Sequence, residues 1–449
     1  MDYAASTPLD PLVEKAMRPY YGGVFGNPSS SHLHGQIASR AVFLARQKIA
    51  NALNADYAEI IVTGSATEAN NLALFGTFEY ILRGHPLFSP AEKRDSLSAH
   101  RSALKGGDRA GALPRCSQEY ISNAPLRVVI SAIEHESVYE SCMALKRMYG
   151  AEIVEIPVNG EGIINLKKLA SALNENTVLV SVQMANSEIG VVQPIVKIAE
   201  IIRNFKDSRF KMHDSRVQNS RLMNPASCVL NPSYPLFHTD AVQAFQYMQC
   251  DVVDLGVDML TLSAHKIYGP KGIGVLFVRR LLNLESCILN PLVVGGGQEN
   301  GMRSGTENVP AIVGFAKAVE ITEKMRARES KRIAVVRDAL WNGIKKIIPD
   351  AEINGPPVGG LIDRLPNNLN MYLPARPAQD VCIELDLMGV AVSPGTACAS
   401  RAAEPSRVIK ALCKESDRAT SSIRLSLGRQ TTMVDTRSVL VIFKNRFGK

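Results

Sequence analysis

No two of the eight cysteines, at positions 116, 142, 228, 250, 287, 382, 398 and 413, are spaced as a C-x-x-C pair. That absence argues against a zinc site or a disulfide framework and for reduced thiols in a cytoplasmic protein, with no metal expected. Long apolar runs are missing too. No stretch reaches the roughly 18 apolar residues of a membrane span. The opening Met1-Asp-Tyr-Ala-Ala-Ser6 has neither the basic start nor the apolar centre of a secretory leader, so no membrane partner is expected. Blocks of basic charge are also absent. Lys and Arg number 51 against 43 Asp and Glu, a net charge of +8, yet no five basic residues are consecutive and acids alternate with them. Direct nucleic-acid binding is therefore not expected, while the excess suits an acidic partner or an anionic cofactor.

What the chain does have is apolar material for a large core. Its 449 residues are 46% hydrophobic, and single cores stop growing at about 250 to 300 residues, so two domains are the default. The stretch that organises the rest is Leu260-Thr-Leu-Ser-Ala-His-Lys-Ile-Tyr-Gly-Pro-Lys-Gly272. Met259 to Ser263 reads as a short buried strand, and Gly269, Pro270 and Gly272 break the chain after it, which puts Lys266 at the mouth of a sheet. Ligands of α/β folds bind there. A lysine partly withdrawn from water has its pKa lowered, so its amine can form a Schiff base with an aldehyde cofactor such as pyridoxal phosphate. A surface lysine following a strand is the alternative. Ser263 and His265 flank it with donors suited to a phosphate.

Taken in order, Pro11 to Tyr20 reads as a short helix, Gly26 to Gly35 as a loop that either lines a pocket or merely connects, and Gln36 to Leu53 as a helix. Glu59 to Asn71 is a strand, a small-residue turn and a helix start, which aims backbone N–H groups at one place and makes a phosphate site. Thr67 and the amides around Ser65 and Ala66 form its cradle, unless the Thr is only a cap. A polar stretch from about 88 to 118 reads as a surface insertion. Leu126 to Ala132 is a buried strand that delivers Glu134-His135-Glu136-Ser137, where His135 either addresses a flat cofactor or a proton, or is a satisfied loop histidine. Glu152 to Val158 and Thr177 to Met184 are further strands, and Asn186 follows the second with an amide able to bond a ligand oxygen. Ile195 to Phe205 is helical in pattern, and Lys206 to Tyr234 reads as a second polar insertion. Leu236 to Asp240 is a strand ending in an acid among apolar residues, costly unless it meets a positive charge such as a protonated pyridine nitrogen. Gln243 follows on the same side of a helical turn.

Gly295 to Thr306 is a Gly-rich loop able to close over an anion, and Val309 begins a helix to about Met325. Strands near Leu369 to Tyr372 and Val390 to Ser393 suggest a smaller α+β domain. Within it Cys398 lies in Val392-Ser-Pro-Gly-Thr-Ala-Cys-Ala-Ser-Arg-Ala-Ala-Glu-Pro405, a run of small and turn-forming residues. Structural cysteines usually sit among larger apolar residues, so Cys398 is the candidate reactive thiol.

With these residues assembled the chain resembles the cysteine desulfurases, pyridoxal-phosphate enzymes of fold type I in the class-V aminotransferase superfamily. The resemblance runs from Asp2 to about Arg429 through ten motifs in the family's order: Asp-Tyr-Ala-Ala-Ser-Thr-Pro, Gly-Asn-Pro-Ser-Ser, Ala-Thr-Glu, Glu-His-Glu, Asn-Ser-Glu-Ile-Gly, His-Thr-Asp-Ala-Val-Gln, Ser-Ala-His-Lys, Gly-Met-Arg-Ser-Gly-Thr, Thr-Ala-Cys and Ser-Ser-Ile-Arg. It implies a large, mostly parallel-sheet α/β domain over 16–320, with polar insertions near 88–118 and 206–234. A smaller α+β domain from 1–15 and 321–449 would carry the Cys398 loop. It further implies that Lys266 binds pyridoxal 5'-phosphate covalently, Asp240 pairs with its pyridine nitrogen, and His135 stacks on its ring. Asn186 and Gln243 would address its phenolic oxygen, while Ser65, Ala66, Thr67, Ser263 and His265 hold its phosphate. Thr306 would reach the phosphate of the other subunit of a homodimer, and Asn186 and Arg424 would take the substrate, L-cysteine. The product would be L-alanine, with sulfur left as a persulfide on Cys398 for an acceptor protein. The sequence departs from the family in Thr63-Gly-Ser-Ala-Thr67, where Thr-Ser-Gly-Ala-Thr is common, and in Ala399, where Ser or Thr often follows the cysteine. The alternative within the superfamily is a selenocysteine lyase or another class-V enzyme. A catalytically silent scaffold is the alternative outside it, against which the presence of both Lys266 and Cys398 speaks.

Overall fold

Short runs of apolar residues become the strands of a central sheet in the computed structural model, which describes residues 1–84, 125–218, 234–279, 289–359, 364–395, 405–413 and 416–448, with the side chains of 83–84, 210–218 and 416 left out. The strands are Ile60–Thr63 (β1), Arg127–Ser131 (β2), Glu152–Ile156 (β3), Thr177–Ser181 (β4), Leu236–Asp240 (β5), Met259–Ser263 (β6) and Gly274–Val278 (β7). Their order is β1-β7-β6-β5-β4-β2-β3. β7 runs antiparallel to both of its neighbours, and the remaining pairs are parallel. Strands covered on both faces read as continuous apolar runs. Residues of β4, β5, β6 and β7 are accordingly buried along their whole length.

Side chains still alternate between the faces, as the pleat requires. Val275 and Phe277 of β7 join a core that includes Val42 and Ile49 of the helix Leu33–Ala52, whereas Leu276 and Val278 join one that includes Leu72, Phe78 and Val138. Each such side chain contributes on the order of 1.5–3 kcal/mol by leaving water. Because β1, β2, β4, β5 and β6 share a direction, their carboxyl ends open along one edge of the sheet.

A second sheet, ordered β10-β9-β8, consists of Glu352–Ile353 (β8), Asn368–Tyr372 (β9) and Ser422–Ser426 (β10), all antiparallel. The 39-residue helix Val309–Ile347 serves both sheets. Asn308 caps it by accepting from the Ala311 N–H at 3.1 Å. Its first half buries Ile312, Phe315 and Val319 in the large core, and its second half buries Ile333, Val336, Leu340 and Ile344 in the small one. The chain's opening residues run between the two sheets. Asp2 bridges to Ser426, and the Thr7 N–H donates to the His265 carbonyl at 3.0 Å.

Three elements differ from what the sequence suggested. The helix begun at Ile195 continues to Gln218, so Lys206 to Gln218 is no loop, and only 219–233 of that stretch lies outside the described residues. Its polar second half needs no buried face, since Lys and Arg are good helix formers. Lys206 also reaches Asp258 at 3.3 Å. The helix expected to stop near Met325 runs on to Ile347, so the 320/321 boundary falls inside one continuous helix. Val390 to Ser393 is not a strand; only Ser393 pairs, in a single bridge to Arg424. Gly389, at φ +79°, turns the chain just before it and Pro394 lacks an N–H, leaving little ladder to form. The 88–118 segment lies outside the described residues.

Gly274 marks where β7 passes the turn after β1. A Cβ there would lie 2.5 Å from the Ser65 carbonyl carbon and 2.7 Å from the Ala66 nitrogen. Gly274→Ala should therefore destabilise the protein by about 1–3 kcal/mol, while Gly160→Ala, with nothing within 4 Å, should not. Urea unfolding of the two variants checks this, and equal stability would show that the turn yields freely.

Candidate active site

The carboxyl ends of β5 and β6 deliver an acid and an amine to the same edge. Asp240 closes β5 with 7% exposure. Its Oδ2 accepts from Asn70 Nδ2 at 2.8 Å and its Oδ1 from the Val242 N–H at 3.0 Å. Both donors are neutral, and Asp240 forms no ion pair among the described residues. Lys266 ends the short turn after β6 and donates from Nζ to the carbonyls of Ala4 at 2.6 Å and Ala5 at 2.7 Å. Gln243 Nε2 donates to the same Ala4 carbonyl at 3.1 Å.

β2 brings His135 to this edge as the N-cap of the helix Glu136–Tyr149. Its Nδ1 accepts from the Ser137 N–H at 3.1 Å and lies 2.8 Å from Ser137 Oγ. Burial, with Lys266 acting in the same direction and Asp240 against it, holds its pKa below the ordinary value. Asn70 connects the acid to the ring, since its Nδ2 also donates to Ser137 Oγ at 2.8 Å. Asn70 Oδ1 is buried without a partner.

Beside Lys266 lies a recess of about 370 Å³, lined by Ser6, Gly64, Ser65, Ser263, His265 and Lys271 among others. Ser65 caps the helix starting at Ala66 by accepting from the Glu68 N–H at 3.1 Å. Burial and the charges of Lys266 and Lys271 push His265 down to about 4. Thr67 is exposed and does not line the recess.

Asn186 lies in the turn after β4 and spends most of its side chain on that turn. Its Oδ1 accepts from the N–H groups of Glu188 at 2.8 Å and Ile189 at 2.9 Å, and its Nδ2 donates to the Ile133 carbonyl at 3.0 Å. One amide hydrogen remains. Arg424, on β10 and 2% exposed, donates from Nη2 to Asp2 Oδ1 at 2.8 Å and from Nη1 to the Ser187 carbonyl at 3.2 Å. Its Nε is buried without an acceptor. Thr306 is exposed at the end of the Gly-rich loop. Two ion pairs tie that loop down, Arg303 to Glu68 at 2.7 Å and Arg46 to Glu299 at 2.6 Å. Cys398 lies outside the described residues.

The class-V aminotransferase profile matches residues 1–86, 115–213 and 231–439. Cysteine desulfurase IscS of Dictyoglomus turgidum is 34% identical over 444 residues, 99% of this chain and 93% of that one. Cysteine desulfurase IscS 1 of Archaeoglobus fulgidus is 36% identical over 441 residues, covering 98% and 94%. A solved NifS-like protein superposes with a TM-score of 0.76 at 27% identity, covering 99% of this chain and 97% of the other. The chain belongs to the class-V aminotransferases, as a cysteine desulfurase. The desulfurase has fold type I and uses pyridoxal phosphate.

Several side chains at this edge escaped the sequence reading. Asn70 sits in the Ala-Thr-Glu-Ala-Asn run, three residues after Thr67, and its spacing was its only signal. Glu134 is wholly buried and receives the Gln183 N–H on both carboxylate oxygens at 3.0 and 3.1 Å; burial nonetheless pushes its pKa well up. His238 lies under the edge, with Nδ1 2.8 Å from Ser181 Oγ and Nε2 3.0 Å from Thr261 Oγ1. Burial lowers it to about 4, with Asp240 opposing.

His238 fixes a pH response. Its unfolded pKa is about 6.5, so below that the unfolded chain binds a proton which the folded one refuses down to about 4. Its contribution is thus fully present above about pH 6.5 and is lost as pH falls through that window. Between pH 7 and 5 the wild type should lose about 2 kcal/mol more than His238→Gln in urea unfolding. Equal losses would show that the ring takes up its proton without hindrance in the fold.

Proposed function

We propose that this desulfurase converts L-cysteine to L-alanine with Lys266 as the cofactor-binding base and Cys398 as the sulfur acceptor. It would act as a cytoplasmic homodimer that hands its persulfide sulfur to an acceptor protein. One observation carries the assignment of the site: a buried Asp240 carboxylate with only neutral donors, at the same edge as the Lys266 amine. Such a carboxylate is costly without a cation, and the protonated ring nitrogen of pyridoxal phosphate supplies one. The residues present therefore fit the cofactor. His135 would lie against its ring, Gln243 and the remaining amide hydrogen of Asn186 would face its phenolic oxygen, and the recess at Ser65, Ala66, Ser263 and His265 would take its phosphate, with Thr67 beside it. When bound, the cofactor serves as an electron sink for the substrate's α-carbon.

The chain's own residues divide the remaining work. Lys266, drawn away from the Ala4 and Ala5 carbonyls, removes the α-proton. Arg424 clamps the substrate carboxylate, for which its planar fork is suited, and its unsatisfied Nε–H gives it a donor in hand. His135, kept neutral at pH 7 by burial, is a proton acceptor for a thiol. The Cys398 thiolate then attacks the substrate sulfur. An S–S bond forms as the bond between the β-carbon and sulfur breaks; the bonding pair goes to the β-carbon, which takes a proton, and return of a proton to the α-carbon completes alanine.

The dimer reading draws on an apolar surface beside the Gly-rich loop. Phe25, Leu33, Phe43 and Leu44 are 76%, 68%, 45% and 45% exposed, and Val294 in the loop is 78% exposed. Arg46, on the same helix as Phe43 and Leu44, holds the loop through Glu299. Exposed apolar side chains gathered on these elements suit an association surface, and one there would bring Thr306 to the partner's phosphate site. Support for the cytoplasm comes from Cys142, Cys250, Cys382 and Cys413, all free thiols, and among the described residues no helix is long and apolar enough to cross a membrane.

Two measurements check these assignments. Cys398→Ser should keep its bound cofactor and respond spectrally to cysteine, yet form neither persulfide nor alanine, because a serine hydroxyl is no nucleophile at neutral pH; wild-type turnover by this variant would remove Cys398 from the reaction. Lys266→Ala mixed with Thr306→Ala should recover activity, since hybrid dimers carry both defects in one site and none in the other. Verified hybrids without activity would count against a shared site.

A further inference from the structure

Residues 396–404, which include Cys398, lie outside the described residues, but the chain on either side of them comes close to one carboxylate. Glu188, in the turn after β4, is 3% exposed. Ser406 donates its hydroxyl to Glu188 Oε2 at 2.6 Å. On the other side, a Cβ built on Gly395 would lie 3.6 Å from the same Oε2 and 3.8 Å from Ser406 Cβ. The chain therefore leaves the described structure and returns to it at Glu188.

Glu188 is itself held from both sheets. Its N–H donates to Asn186 Oδ1 at 2.8 Å, and its carbonyl accepts from Asn368 Nδ2 at 2.8 Å and Asn370 Nδ2 at 3.1 Å, both on β9. The neighbouring Ser187 carbonyl accepts from Arg424. Just after Ser406, Arg407 donates to the carbonyls of Ala132 at 2.7 Å and Glu134 at 2.5 Å, and its guanidinium lies 3.9 Å from the centre of the Tyr139 ring. The turn that holds the substrate-side arginine and the turn that holds His135 are thus both joined to the foot at Ser406. A buried carboxylate is a costly way to fill space, and the Ser406 hydroxyl with the charges of Arg424 and Arg407 offsets that cost.

We propose that Glu188 is a positioning residue for sulfur transfer: by bonding Ser406 beside Gly395 it sets the two described ends of the Cys398 segment relative to Arg424 and His135. Cofactor capture does not depend on it. The inference rests on the reading of Cys398 as sulfur acceptor and adds what places that thiol.

Ser406 allows a test that leaves its other role intact. Its Oγ also caps the helix Arg407–Leu412 by accepting from the Ile409 N–H at 3.1 Å. Ser406→Asp keeps a good cap but sets two carboxylates against each other; Ser406→Thr keeps both contacts. With the holoenzyme, three quantities are read: bound cofactor, the spectral response to cysteine, and persulfide on Cys398 in a single turnover. Ser406→Asp should match wild type in the first two and form persulfide roughly a hundredfold more slowly, the scale of a misplaced reacting group. In steady state kcat should fall with KM little changed. Ser406→Thr should stay near wild type. Adding Glu188→Gln to Ser406→Asp supplies an amide donor to the new carboxylate and should restore most of the rate. The inference is overturned if Ser406→Asp forms persulfide at the wild-type rate, if it loses cofactor along with sulfur transfer, or if the double variant folds and loads but shows no recovery. Peptide mapping of the unaltered enzyme separates the underlying reading: a persulfide on another cysteine removes Cys398, and this inference with it.

Discussion

A buried acid that meets only neutral donors among the described residues is the constraint around which the active edge is arranged. Asp240 is held by the strand that ends on it and by two neutral donors, and a carboxylate so placed is costly unless a positive partner relieves it. The groups near it are linked in turn. Asn70 gives it one hydrogen bond and turns the other way to Ser137, which fixes the His135 ring. Lys266, at the same edge, donates to the Ala4 and Ala5 carbonyls. The edge thus carries both an acid and an amine, the two groups that the proposed assignment gives to the ring nitrogen and the aldehyde of the cofactor.

The opening residues and the turn after β4 do for the two sheets what Asn70 does for two side chains. Asp2 touches Arg424, Ala4 and Ala5 touch Lys266, and Thr7 meets the His265 carbonyl. The groups read as substrate clamp, catalytic amine and phosphate ligand are therefore strung along six residues of one strap. Asn186, Glu188 and their partners on β9 make the second junction. Both junctions are built from hydrogen bonds, most of them to backbone, so they fix distance without needing large apolar contact between the sheets.

Much of this was legible because catalytic groups of α/β folds sit where a buried strand stops, and a strand's stop is written locally. Asp240 ends a short buried strand and His135 and Lys266 closely follow one, so a single pattern brings out all three. Asn70, Glu188, Arg407 and His238 carry no such mark, since their roles arise from partners dozens to hundreds of residues away. Thr67 shows the converse limit: the motif was plain, yet its side chain is exposed. The helix past Phe205 and the missing strand at Val390–Ser393 were misread for one reason. Apolar periodicity reports burial, so a solvated helix gives no signal and a few buried residues beside a glycine turn give a false one.

The two halves of the chemistry ask for opposite mechanical properties, and the fold separates them accordingly. Under the proposed assignment, proton removal at the α-carbon falls to groups on strand ends braced by cores on both sheet faces, where packing leaves few alternative arrangements. Sulfur transfer, on the same proposal, has two destinations, the substrate and then an acceptor outside the protein, and what the described structure contributes to it is a fixed pair of ends for the segment that carries Cys398. The Ser406–Glu188 hydrogen bond beside Gly395, and Arg407 on the turn before His135, fix those two ends. The long helix Val309–Ile347 completes the arrangement, because by burying its two halves in different cores it makes the sheet that carries Arg424 and the sheet that carries Lys266 move as one.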